Sequence, residues 1–341
     1  MLIRRRTMLG AAVLAAATGP ARAQDAALVE AANKEGAVTF YTSIDVGVVE
    51  KLTAAFKARY PRITLRIERS GAERILQRLM QEYASGLREA DVVESSDITS
   101  FVDWKARGWL ARFVPADVAD FWPKEERDPD GFFATVRAHL SVVAFNARQV
   151  KPADAPKSYA DLLQPQWRMR MVKAHPSYSG TILTGTAALV QLLGWPFLEK
   201  LAQQRVMQVQ SSTEPPKKVA QGERSIMADG NEYNCFFLKE SGSPIEIVYP
   251  AEGTPLVPGQ AGVLKDAPHP NAARLFADFL FSAACQQVMI DAGGLRSFHP
   301  KTTLTAGRTP LSDIKLLRTD PAALARDAEA LKARYAKVFG V

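Results

Sequence analysis

Asn231-Glu232-Tyr233-Asn234 packs a carboxylate, a phenol and two amides into four consecutive residues. A phenol beside a carboxylate can serve a hard cation such as ferric iron, or can hydrogen-bond hydroxyls or an amine on an organic solute. Other chemistry-bearing residues gather in short stretches of the same kind. These are Thr42, Ser43 and Asp45; Arg69, Ser70 and Gly71; Glu94, Ser95, Ser96 and Asp97; and His175, Ser177, Tyr178, Ser179, Gly180 and Thr181. Hydroxyls and glycines dominate, and several stand just before an apolar helical pattern. Helix starts carry unpaired N–H groups and partial positive charge, so they hold small anions without a dedicated lysine. Ser70 and Ser179 also fit ordinary N-caps. Arg69 adds a guanidinium, which suits a carboxylate or phosphate.

Other chemistries find less support. His139, His175, His269 and His299 are scattered, with no Cys or Glu at metal-site spacing. Cys235 would need a base and an orienting group to act as a nucleophile, and it stands beside the apolar run Phe236-Phe237-Leu238, which favours core packing. Neither a G-x-S-x-G elbow nor a P-loop occurs.

The elements that must position these residues follow an α/β rhythm. Ala37 to Ser43 is a β-branched and aromatic run, followed by Val49, Leu52, Phe56 and Tyr60 at helical spacing and a stop at Pro61. Residues 63–68 alternate as a strand. Ser70 and Glu73 have capping-box spacing ahead of a helix, and residues 90–95 form a short buried strand. Strand, helix, strand, helix, strand predicts a parallel sheet with crossover helices. After a Pro-containing acidic stretch, 114–131, further strands are predicted at 140–146, around 170–176, from 245 and from 260. Helices are predicted at 179–194, as one long helix from Asn271 to a double glycine at 293–294, and over 320–339. Solutes bind such sheets beyond the carboxyl ends of strands, where the polar stretches above lie.

Residues 1–23 combine Arg4-Arg5-Arg6, a short apolar run and the ending Ala21-Arg22-Ala23, the parts of an export signal of either the secretory or the twin-arginine kind. A mature chain beginning near Gln24 would be periplasmic. The net charge of +7 includes that signal; without its four arginines the balance is 39 basic to 36 acidic side chains, which argues against a nucleic-acid partner. Cys235 and Cys285 could pair in an exported chain or remain two buried thiols.

Taken in order, the segments 38–61, 70–93, 158–167, the Ser179-Gly180-Thr181 helix start, 219–234 and 247–289 resemble the periplasmic solute-binding proteins of ABC importers, in their ferric-iron-binding-like branch. The resemblance implies a two-lobed type 2 architecture, each lobe a mostly parallel sheet flanked by helices, with crossing hinge strands. It implies lobe 1 from 24–140 plus 255–300 and lobe 2 from 141–254 plus 301–341. It further implies a monomeric receptor, not an enzyme, that closes over a solute and delivers it to an inner-membrane permease. Iron-binding members carry two adjacent tyrosines where this chain has Tyr233 followed by Asn234, so one phenolate is missing. The expectation is therefore a small anionic organic solute bearing a phosphate, phosphonate or carboxylate, with no cofactor or metal. Its expected contacts are Thr42, Ser43, Arg69, Ser70, Gly71, Ser96, Ser179, Gly180, Thr181, Asn231, Glu232 and Tyr233. Two alternatives are a ferric-ion receptor using Tyr233, Glu232 and Asp45, and a thiaminase-like enzyme using Cys235.

Overall fold

The computed structural model describes residues 20–341, with side chains from Ala26 onward. The predicted export signal lies outside the described residues, apart from its last four, whose backbone opens the first helix. The first half of the chain alternates regularly, as α1 (Pro20–Glu35), β1 (Ala37–Thr42), α2 (Val46–Arg59), β2 (Thr64–Arg69), α3 (Ala72–Ser85), β3 (Val92–Ser95) and α4 (Ile98–Ala106). A short α5 (Ala116–Phe121) precedes the longest strand, β4 (Ala134–Asn146). Next come β5 (Met171–Ala174), α6 (Gly180–Leu193), α7 (Trp195–Gln203), β6 (Met207–Val209), α8 (Glu214–Ala220), β7 (Ile226–Asn231), α9 (Glu232–Glu240), β8 (Ile245–Val248) and β9 (Thr254–Val263). The chain closes with α10 (Pro270–Phe281), α11 (Ala283–Gly293), β10 (Leu316–Leu317) and α12 (Pro321–Phe339).

The strands form one curled sheet in the order β2-β1-β3-β9-β4-β7-β5-β6, with β10 beside β9 and β8 beside β4. Pairing is parallel at both ends, among β1, β2 and β3 and among β5, β6 and β7, as crossover helices require. It is antiparallel in the middle, where β4 and β9 run side by side and tie the two ends together. The architecture is thus two α/β lobes joined by two long crossing strands. Each lobe has its own apolar centre. In the first, Phe40, Phe56 and Phe279 crowd together in edge-to-face contacts near 5 Å, with Phe276 between them. The second is built on Phe145, Trp167, Leu198 and Ile226. Leu324, Ala328 and Leu331 of α12 pack on Ile98 of α4 and Leu183 of α6, so the last helix clasps elements from both lobes.

Three local expectations need correction. The long helix from Asn271 is two helices, because Ser282 turns extended (φ −64°, ψ 148°) and its hydroxyl accepts from the Cys285 amide to start α11. The double glycine does end α11, with Gly294 in the left-handed conformation. β4 begins six residues earlier than predicted, at Ala134, and its polar members Arg137, His139 and Ser141 alternate with Val136, Ala138, Leu140 and Val142. The capping box at Ser70 and Glu73 does not form: Gly71 holds the cap position of α3 and no side chain caps it. Both cysteines are free and buried.

Candidate functional site

Where the carboxyl ends of β1, β2 and β3 face the start of α6, the lobes enclose a narrow cleft of about 90 Å³. Its floor is Arg137, which is ion-paired to Glu94 buried beneath it. Arg137, on β4, sends Nε to Oε1 of Glu94 on β3 at 2.9 Å, and Glu94 Oε2 accepts from the Thr42 hydroxyl at 2.7 Å and the Ser43 amide at 2.9 Å. Arg137 fits because its cross-strand partner is Gly259, where a Cβ would stand 2.9 Å from both the arginine chain and the Glu94 carboxylate. The rest of the guanidinium donates to Ser43 Oγ at 3.1 Å and faces His139 Nδ1 at 3.2 Å. His139 Nε2 then meets Thr181 Oγ1, from the opposite lobe, at 3.0 Å. The His139 ring is 1% exposed, and desolvation, aided by the adjacent Arg137 charge, holds its pKa well below the ordinary histidine value.

Two helix starts open onto this cleft. Gly71 and Ala72 bring the first turn of α3; Ser179, Gly180 and Thr181 bring that of α6. The Ser179 hydroxyl makes no capping bond, which leaves the first amides of α6 to the cleft. Gly180 lies where the lobes touch: a Cβ there would come within 2.6 Å of the Ser96 carbonyl oxygen, so only glycine permits this approach. Arg69 spends Nε on the Ile44 carbonyl at 3.1 Å, and among the described residues its terminal nitrogens have no protein partner. Ser211, Ser212 and Thr213, ahead of α8, complete the wall, together with Tyr178 and Tyr233. No residue lining the cleft is acidic.

Eight of the twelve expected contacts therefore meet in one place: Ser43, Arg69, Gly71, Ser96, Ser179, Gly180, Thr181 and Tyr233. The other four fall elsewhere. Thr42 is fully buried and serves Glu94, while Ser70 uses its amide on the Thr42 carbonyl at 3.1 Å and lies off the lining. Asn231 sits beneath the wall and donates through Nδ2 to Tyr233 Oη at 3.1 Å and to Ser212 Oγ at 3.2 Å. Glu232 faces the other way. Its carboxylate is 0% exposed, is held by Arg296 at 2.7 and 3.1 Å, and accepts from the Tyr249 hydroxyl at 2.6 Å, leaving nothing for a solute.

The alternatives lose members in the same way. Asp45 turns its carboxylate to the Gly47 amide at 3.0 Å as the cap of α2, and no cluster of three His, Cys, Asp or Glu side chains suited to a metal occurs among the described residues. Burial raises the pKa of the Tyr233 phenol. Cys235 is fully buried in apolar packing, and that burial pushes its thiol well up, so it offers no nucleophile to the cleft.

The sequence reading missed Arg137, His139 and the Ser211-Ser212-Thr213 turn. For the first two a signal existed, the alternation of polar and apolar residues over 136–142.

Residues 38–294 match the bacterial extracellular solute-binding proteins as a family. The chain belongs to that family. This solute-binding protein is 30% identical over 175 residues to an uncharacterized protein of Haemophilus influenzae, a match covering 49% of this chain and half the length of that relative. Its fold superposes on the periplasmic binding protein AfuA of Actinobacillus pleuropneumoniae, solved with fructose-6-phosphate bound, with TM-score 0.81 and 21% identity over 90% of this chain and 99% of AfuA. It also superposes on iron-bound HitA of Pseudomonas aeruginosa, with TM-score 0.77 and 23% identity over 88% of this chain and 99% of HitA. These two show a fold shared by a sugar-phosphate complex and an iron complex.

Proposed function

We propose that this protein is the periplasmic solute receptor of an ABC importer and that it captures a small organic anion carrying a phosphate, phosphonate or carboxylate. The observation that carries this reading is the imbalance of the cleft: two helix starts and the unpaired end of Arg69 converge on it, and no acidic side chain lines it. A small anion docked there gains charge-assisted hydrogen bonds of the strong kind, while a ferric ion would meet a single buried phenol and no carboxylate. Binding works by closure. Contacts drawn from both lobes, Ser43 and Arg69 on one side and Ser179 to Thr181 on the other, are complete only when the lobes meet, so the solute stabilises the closed form. A membrane permease would then read that closed form.

A ligand that binds only the folded protein raises its melting temperature. A thermal-shift panel of fructose 6-phosphate, an alkyl phosphonate, citrate and ferric ion tests the reading. Stabilisation by at least one of the three organic anions is expected. A response to ferric ion alone would overturn it.

A further inference from the structure

The chain Arg137–His139–Thr181 runs from the cleft floor to the opposite lobe, and its hydrogens can be placed by elimination. A guanidinium has only protons to give, so His139 Nδ1, 3.2 Å from Arg137 Nη1, must offer its lone pair. A ring this buried beside a cation stays neutral, so its one proton sits on Nε2 and is donated to Thr181 Oγ1 at 3.0 Å. Thr181 is 3% exposed, lines the cleft, and among the described residues its hydroxyl has no other partner. With its oxygen accepting from His139, the hydroxyl keeps its proton and one of its two lone pairs, so half its acceptor capacity is spent while its donor stays free for a solute.

We propose that His139 is a positioning residue that occupies one acceptor site of Thr181 and so biases its hydroxyl to donate into the cleft, tilting the receptor toward the fully ionised form of its solute's oxyanion over the protonated form. This deepens the anion-receptor reading and rests on it. The neighbouring groups point the same way. The free amides at the start of α6 and the terminal nitrogens of Arg69 can only donate. Glu94, the nearest carboxylate to the floor, already accepts from Thr42, Ser43 and Arg137. The Ser96 and Ser179 hydroxyls can turn either way, but a neutral oxygen is a weak acceptor beside so many donors. A phosphate ester that keeps one acidic proton would find only neutral hydroxyl oxygens to accept it, against a dianion that fills the charged and amide donors without that cost.

The titratable groups around His139 are Arg137 on its own strand, Tyr233 of α9, whose ring stands edge-on at 5.4 Å, and Glu94 of β3 behind Arg137. Arg69 and Asp45 lie next to Tyr233. To separate the solute's proton from any response of the protein, the control is a ligand that shares the protein but not the proton. Calorimetric titration of fructose 6-phosphate, beside the corresponding sugar sulfate, supplies it at about pH 5 and about pH 7.5. The second phosphate pKa is near 6, so the phosphate ester is expected to bind about tenfold more tightly at the higher pH while the sulfate stays level. Thr181→Ser should keep that tenfold ratio, and Thr181→Val should weaken the phosphate ester about tenfold or more, the loss of one hydrogen bond to a charged group. His139→Gln, whose amide can present either oxygen or nitrogen to Thr181, should reduce the ratio between the two pH values while the protein stays folded.

A phosphate-ester affinity that is flat, or that merely follows the sulfate, overturns the inference, and so does an unchanged ratio in His139→Gln together with unchanged affinity in Thr181→Val. Binding of citrate with no response to fructose 6-phosphate also overturns it while leaving the anion-receptor reading in place. Failure of every organic anion in the panel removes both.

Discussion

Glu232 and Tyr233 are neighbours at the start of α9, yet they belong to opposite kinds of surroundings. On the Glu232 side the carboxylate's own network is closed: both carboxylate oxygens reach Arg296, Tyr249 adds its hydroxyl, and Arg296 Nη1 donates to the Thr309 carbonyl at 2.7 Å. On the Tyr233 side hydrogen-bonding capacity is left over, in the Thr181 hydroxyl, the Arg69 nitrogens and the first amides of α6. A saturated network is scaffold, because nothing remains to be recognised. An unsaturated one facing a cleft is a site, because its donors stay free to be taken by a solute and, where they are buried, cost free energy until something fills them.

The sharpest way to break that contrast is to disturb the saturated side. Glu232→Ala strands a buried guanidinium and is expected to cost about 3–5 kcal/mol of folding stability, measured by denaturant titration, with solute affinity per folded molecule unchanged. A large affinity loss without destabilisation would move Glu232 into the site. The reverse pattern is expected of Arg69→Ala. Arg69 is exposed, so its loss should weaken anion binding by about 1.5–3 kcal/mol in calorimetry and leave the unfolding midpoint nearly unmoved.

A third test uses pH. The His139 ring stays neutral when folded and regains an ordinary pKa near 6.5 when unfolded. Below that value the unfolded chain binds a proton that the folded chain refuses, so stability is full above about pH 6.5 and declines as pH falls, by up to about 1.4 kcal/mol per pH unit. His175, whose pKa is also lowered by burial, adds to the same slope. His139→Gln should make the decline shallower; an identical slope would contradict the neutral ring. The smallest effect belongs to Tyr233→Phe, expected to cost about 1 kcal/mol of solute affinity.

What the sequence made legible follows the range of the forces involved. The α/β alternation and the positions of the polar turns were readable because hydrophobic period and helix-start chemistry are local. Ser179 to Thr181 and Ser43 were readable as site residues on that ground. The direction in which a side chain leaves a helix start was not, so Glu232 and Tyr233 looked equivalent until Arg296, from 64 positions away, claimed one of them. Arg137 and His139 escaped notice because a buried arginine becomes intelligible only with Glu94 from β3 and Gly259 from β9 around it. The break at Ser282 escaped too, since the apolar pattern runs through it uninterrupted and a single serine cap decides the bend.

The claim beneath all of this is that the cleft holds an organic anion by donated hydrogen bonds, without a coordinated metal. Native mass spectrometry of the exported protein with its visible absorption spectrum tests it most directly. The expected result is an adduct of organic-anion mass on a colourless protein, lost or weakened in Arg69→Ala. An iron adduct with a visible absorption band that disappears in Tyr233→Phe would contradict it.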